Sequence, residues 1–192
     1  SSANYLRKGE ASLKPETSRG WELGVAVNTD TAGGSVTFFD QRYKNFIESG
    51  VPVAVDSIYG QMMQNGLYPF GVFTHANLDR VRIYGLEASA YWNINSNWYT
   101  RGSVAWTVGK DRSTGDYLNS VAPLKGILAL GYQSQEWGAE AVWTLASKRN
   151  KVKYPDATPE VAYPDFKAPG YGTLDLVAHW TPSAVKGLRF QA

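Results

Sequence analysis

A chain of 192 residues with 19 Lys plus Arg against 17 Asp plus Glu carries a formal charge of +2, without the basic excess that marks nucleic-acid proteins. It has no cysteine, which removes disulfide frameworks, thiolate zinc sites and cysteine nucleophiles. Its distinguishing richness is aromatic, 7 Trp, 12 Tyr and 7 Phe beside 19 Gly; that is too apolar for disorder, yet no stretch approaches the ~20 uninterrupted apolar residues of a membrane helix.

Period-two alternation recurs along the chain and predicts eight strands. Trp21, Leu23, Val25 and Val27 share one face of the first. The stretch from Val36 to Ile47 alternates less cleanly. Tyr84, Leu86, Ala88, Ala90, Trp92 and Ile94 form the apolar face of the third, and Trp98, Gly102, Val104, Trp106 and Val108 that of the fourth. Leu124, Leu128, Leu130 and Tyr132 follow, then Trp137, Ala139, Ala141, Trp143 and Leu145. Leu174, Leu176, Ala178 and Trp180 make the seventh, and Leu188, Phe190 and Ala192 begin the eighth. The connections sort by length: short polar turns at 29–34, 95–97, 134–136 and 181–187, against long links at 49–78, 110–121 and 147–169. Short turns at one end and long loops at the other form the pattern of an outer-membrane barrel.

The tryptophans identify the outward face. Trp92, Trp98, Trp137 and Trp180 stand beside short turns, with Tyr132 near them, whereas Trp106 and Trp143 sit farther along, toward the long loops. Eight residues at ~3.3 Å, tilted by ~40°, rise roughly 20 Å, close to the apolar band of such barrels. Indole rings favour the headgroup level. The alternation then places Glu22, Glu87, Arg101, Glu140, Asp175 and His179 in the lumen, where they escape the cost of a charge on the lipid face. These features predict an all-β, antiparallel transmembrane barrel wall.

Two segments carry a family resemblance. Leu13-Lys14-Pro15-Glu16-Thr17-Ser18, followed by Trp21-Glu22-Leu23-Gly24, resembles the Leu-Lys-Pro-Glu box of TonB-dependent outer-membrane receptors, with Gly9-Glu10-Ala11-Ser12 in place of the usual Asn-Pro lead. Arg82-Ile83-Tyr84-Gly85-Leu86-Glu87 resembles their Arg-x-x-Gly-x-Glu strand. Leu118 to Pro123, Trp143 to Leu145 and Phe166 to Leu176 are similar to the heme and hemoglobin branch. The resemblance implies a barrel of roughly 22 strands closed around a plug. Residues 1–192 would supply its C-terminal part, strands about 14 to 21, without plug or TonB box. The chain, from Ser1 to Ala192, is expected to be a piece of a longer polypeptide and not to close on itself.

The implied activity is energised import across the outer membrane of a Gram-negative bacterium, without covalent chemistry or a resident metal. The implied ligand is heme, taken free or from hemoglobin or another carrier; a ferric siderophore or other metal chelate is the alternative. TonB would act through the absent plug, and lipid and lipopolysaccharide would surround the wall. Lys148-Arg149-Asn150-Lys151-Val152-Lys153, above Trp143, is placed for outer-leaflet phosphates. Heme iron takes an axial His or Tyr. His75, expected in a loop before the Arg80 to Ile94 strand, and Tyr5, in the tail before the box, are the candidates. His179 lies near a short turn and reads as structural. The apolar stretch from Met62 to Phe73 is a candidate contact for a hydrophobic ligand or carrier. An outer-membrane enzyme would need a Ser-His-acid or carboxylate cluster at one rim; the two histidines lie at opposite ends and no Gly-x-Ser-x-Gly occurs. A soluble sugar-binding β-domain is the remaining class, and it would be monodisperse without detergent.

Overall fold

The computed structural model describes residues 6–53, 58, 61, 65, 72–152, 167–185 and 187–192. They form one sheet of nine strands: β1 (Leu6–Arg7), β2 (Thr17–Asn28), β3 (Ala32–Pro52), β4 (Val72–Asn93), β5 (Trp98–Asp111), β6 (Lys125–Gln133), β7 (Trp137–Ala146), β8 (Tyr171–Trp180) and β9 (Phe190–Gln191). Strands β2 to β9 are hydrogen-bonded in sequence order and antiparallel, and the sheet does not close: β2 and β9 are its edges. The eight predicted strands are β2 to β9. The short β1, which alternation did not predict, pairs parallel with β4, Leu6 opposite Val72 and Arg7 opposite Phe73. No helix among the described residues is long and apolar enough to cross a membrane.

Cross-strand partners share a face, so the register tests the predicted inside and outside. Leu23, Phe38, Leu86 and Trp106 are successive partners across four strands. Gly102, Leu128, Trp143 and Leu174 continue the same face, and Trp137 pairs with Trp180, which pairs with Phe190. All the alternating apolar sets therefore fall on one continuous surface. It is bare: Val25 is 69%, Leu174 64% and Leu176 73% exposed. A water-soluble sheet would cover such a face with a second layer. A largely apolar depression of about 760 Å³ between Val27, Ala90, Trp92 and Leu128 belongs to this face.

Both aromatic bands exist as contacts. At the short-turn end Tyr132 packs against Trp98 at 5.1 Å and stacks on Trp137 at 4.6 Å, while Trp180 stacks on Phe190 at 5.6 Å. At the other end Tyr84 meets Trp106 edge to face at 6.1 Å. The short turns are tied by their own polar groups. Asn95 Oδ1 accepts from the Asn97 and Trp98 amides, and Ser134 Oγ donates to the Trp137 carbonyl.

Two strands are far longer than predicted. β3 has 21 residues and β4 has 22, about 70 Å of chain where a tilted crossing needs ~9–11 residues. β6, β7 and β8 have 9, 10 and 10 and stop near the membrane. The β3–β4 ribbon thus rises above the apolar band on the long-loop side. Alternation failed to extend it because residues 73–78 are half-buried on both faces, each face mixing polar with apolar side chains, and so carry no period-two apolar signal.

Candidate functional site

The candidate site is the mouth of the wall on the long-loop side, with the lumen surface below it. The Leu-Lys-Pro-Glu box crosses the raised β3–β4 ribbon and is fastened there by two asparagines. Asn77 Oδ1 accepts the Lys14 amide at 2.6 Å, and its Nδ2 donates to the Lys14 carbonyl at 3.0 Å and to the Asn45 carbonyl at 2.7 Å. Asn45, at φ 53°, donates through Nδ2 to the Pro15 carbonyl at 3.4 Å. That left-handed conformation is one asparagine tolerates better than most residues. Glu16 Oε2 accepts the Ile47 amide at 2.8 Å, and the chain then enters β2 with Thr17 opposite Lys44. Backbone polar groups of a crossing segment and an irregular strand are thereby satisfied together. Just before the box, Ser12 donates its hydroxyl and its amide to Glu10 Oε1; the hydroxyl bond first, then the amide, holds the Glu10 carboxyl below its usual range.

Replacing Asn77 with alanine removes three of these hydrogen bonds and leaves the Lys14 amide and carbonyl without a partner among the described residues. Amide exchange of residues 8–16 in the full-length receptor should quicken by roughly tenfold or more, at about 1 kcal/mol per net bond. Unaltered exchange would deny the asparagine this role.

His75 is not in a loop. It lies within β4, half-buried and opposite Ser49 of β3, in the raised part of the ribbon. Its position in the alternation puts it on the side of Asn77, Val81 and Glu87, which is the lumen side. Tyr5 and most of the Met62 to Phe73 stretch lie outside the described residues. Leu6, however, pairs with Val72, three residues before His75 in β4. A cavity of about 180 Å³ separates the ribbon from the β5–β6 connection and is lined by Glu48, Asp111, Asp116 and Tyr117. Glu48 is buried, and Ser120 Oγ donates to its Oε2 at 3.0 Å.

Below the mouth, two of the predicted lumen charges, Arg101 and Glu140, pair within the wall itself. Arg101 Nη2 donates to Glu140 Oε1 at 2.6 Å and Arg101 Nε to Oε2 at 3.1 Å, while the Tyr99 hydroxyl donates to Oε2 at 3.0 Å. Arg101 and Glu140 stand on β5 and β7, with β6 between them. They meet because β6 presents Ala129 and Gly131 at that level: Ala129 has no exposed surface, and the Tyr99 ring lies over Gly131. Small residues on β6 were the available signal for this reach; period-two alternation alone does not use it. His179, beside Gly138 near the short turns, sits 3.4 Å from Gln133 Nε2 and has a structural setting. Among the described residues no group of three or more His, Cys, Asp and Glu is arranged to hold a metal.

The basic run after β7 is partly described. Arg149 bridges backbone to backbone with Ala168, and Lys151 Nζ stands 5.9 Å from both the Trp106 and Tyr117 rings. One cation of the run therefore stands near Trp106 of the upper aromatic band.

An antiparallel wall with an apolar exterior between two aromatic bands, a charged lumen and long connections at one end is part of a transmembrane β-barrel. The chain belongs to the TonB-dependent receptors: the family model described as TonB dependent receptor-like, beta-barrel, matches residues 1–192. It is a wall of an outer-membrane barrel of a Gram-negative bacterium. It is 26% identical to the hemoglobin-haptoglobin utilization protein B of Neisseria meningitidis serogroup C over 92% of this chain and 24% of that protein. It is 25% identical to the probable hemoglobin and hemoglobin-haptoglobin-binding protein 4 of Haemophilus influenzae, over 93% of this chain and 19% of that protein. The chain thus spans about a quarter or less of the length of these relatives. Among solved structures, the copper transporter OprC superposes with a TM-score of 0.72 at 20% identity, covering 94% of this chain and 25% of that one. A ferric enterobactin receptor of Pseudomonas aeruginosa gives 0.64 at 24% identity over 89% of this chain and 24% of that one. These structural likenesses establish the fold.

Proposed function

We propose that the full-length receptor imports heme, free or drawn from hemoglobin or another carrier protein, with TonB supplying force through a plug. Residues 1–192 act in this as strands about 14 to 21 of the wall, lining the upper lumen and mouth. The observation that carries the reading is the match of more than nine-tenths of this chain to relatives named for utilization or binding of hemoglobin and hemoglobin-haptoglobin. His75 and Tyr5 are the proposed axial ligands. His75 supports the role by standing at the lumen side of the mouth, and Leu6, the residue after Tyr5 in the chain, pairs with Val72 of the same strand.

A ferric-siderophore receptor is the second reading, favoured by 28% identity over 60% of this chain to the probable TonB-dependent siderophore receptor PirA of Acinetobacter baumannii. Hemin titration of the detergent-purified full-length receptor separates the two. A Soret shift on binding, lost or displaced in Tyr5→Ala or His75→Ala, supports heme and its ligand. A wild-type receptor that leaves the hemin spectrum unchanged while binding a ferric siderophore overturns the heme reading. Wild-type spectra and affinity in both variants remove both residues.

A further inference from the structure

The outward face does not end at the aromatic band. Trp21, Asp40, Tyr84 and Val108 are successive cross-strand partners in its uppermost row. The next row is Arg19, Arg42, Arg82 and Lys110, and the one above it is Thr17, Lys44 and Arg80. Arg112 joins them, its amide donating to the Arg80 carbonyl. Arg42 thus lies directly between Arg19 and Arg82, and Lys44 lies opposite Arg80. Like charges facing each other across strands are destabilising, and two carboxylates do not neutralise this cluster. Asp40 is taken by Arg82, whose Nε donates to both of its oxygens at 3.0–3.1 Å, and Asp79 by Arg80 at 3.4 Å. Among the described residues Arg19, Arg42, Lys44 and Arg112 have no ion-pair partner. All four are exposed, and with Arg80 they surround a cleft of about 540 Å³.

The height of the cleft says what it meets. Arg19 is two residues beyond Trp21 and Arg82 two beyond Tyr84, with the Arg82 guanidinium 4.7 Å over the Tyr84 ring. Two residues are ~7 Å along a strand. A bilayer ~30 Å thick in hydrocarbon and ~40–45 Å with its headgroups leaves a polar layer of ~5–7 Å on each side. The cations therefore stand at the level of the headgroups, on the side of the long loops. Guanidinium groups are suited to the paired oxygens of phosphate, which bind in forked, charge-assisted geometry.

We propose that this cleft is a binding site for the phosphate groups of a phosphorylated outer-leaflet glycolipid, of the lipopolysaccharide type, with Arg19, Arg42, Lys44 and Arg112 as its ligands. The apolar face below receives the acyl chains, so headgroup and chains of one lipid are held together. The anion removes the repulsion between facing cations, and the barrel wall gains a fixed lipid at its rim. The site is independent of what the receptor transports.

The test uses the full-length receptor in detergent and lipid A with and without its phosphates, read by native mass spectrometry. Wild type should retain phosphorylated lipid A at least roughly tenfold better than the dephosphorylated form, given two or more charge-assisted bonds. The triple variant R19Q/R42Q/K44Q should lose that preference, while R189Q, beyond the short-turn end, should keep it. Equal retention of both lipids by wild type, or an unchanged preference in the triple variant, overturns the site. Inorganic pyrophosphate is the soluble probe: displacement of the lipid at comparable concentration would show a soluble anion as the natural occupant and overturn the lipid assignment. If the triple variant fails to fold, the wild-type comparison of the two lipids still decides.

Discussion

Gly85→Val is expected to prevent the receptor from reaching its folded state, or to lower its unfolding free energy by about 3 kcal/mol, at the upper end of overpacking costs. Gly85 pairs with Phe39 on one side and Thr107 on the other. A Cβ built there runs into the Trp106 carbonyl oxygen and lies 2.8 Å from the Phe39 ring. The carbonyl belongs to the neighbouring strand and cannot turn away without breaking the ladder. The aromatic ring over the glycine supplies the packing its missing side chain would otherwise give. The glycine of the Arg-x-x-Gly-x-Glu stretch is therefore required by packing in the lumen. Gly126→Ala is the control: its Cβ would find no atom closer than 3.7 Å, and its effect should stay within about 0.5 kcal/mol. Urea unfolding of the full-length receptor in bilayers checks both, and an unchanged midpoint for Gly85→Val would contradict the packing reading.

Adjacent residues on opposite faces provide the second strong contrast. Ala88 lies midway between Tyr84 and Trp92 on β4, with outward partners Val36 and Val104. Arginine at that position would meet lipid near the midplane, at a cost of roughly 2–4 kcal/mol. Ser89, the next residue, faces the lumen, and its hydroxyl lies 3.0 Å from that of Ser35. Ser89→Arg gives up that weak bond but keeps its charge in a polar space, so its cost should remain near 1 kcal/mol. Folded yield in the outer membrane and the unfolding midpoint in bilayers should both fall for Ala88→Arg and hold for Ser89→Arg. Equal losses would refute the division of the sheet into lipid and lumen faces.

Part of the site is legible in side-chain types. Arg101 and Glu140 can be assigned to the lumen from alternation, and the Leu-Lys-Pro-Glu box marks the descent into β2. Their partners cannot. That Arg101 reaches Glu140 across an intervening strand depends on Ala129 and Gly131 being the residues beneath the pair, which only register discloses. Asn77 and Asn45 carry no motif, and they matter because a segment 63 and 30 residues distant from them in sequence is laid across them. His75 reads as a loop residue because the half-buried ribbon around it mixes polar and apolar side chains on both faces and lacks apolar alternation.

The class of structure is legible in residue pattern: one-sided apolar strands, tryptophans spaced by the thickness of a membrane, and connections sorted by length leave a barrel wall as the physical solution. Face, span and turn length are local properties, readable within a strand and its neighbouring turns. Which residues share a row emerges only once the strands are paired. Charge pairing over β6, the fastening of the box to β3 and β4, the strand position of His75 and the double row of cations above Trp21 and Tyr84 all follow from register. Register joins residues far apart in the chain, and a shift of one position would turn each of those side chains to the other face.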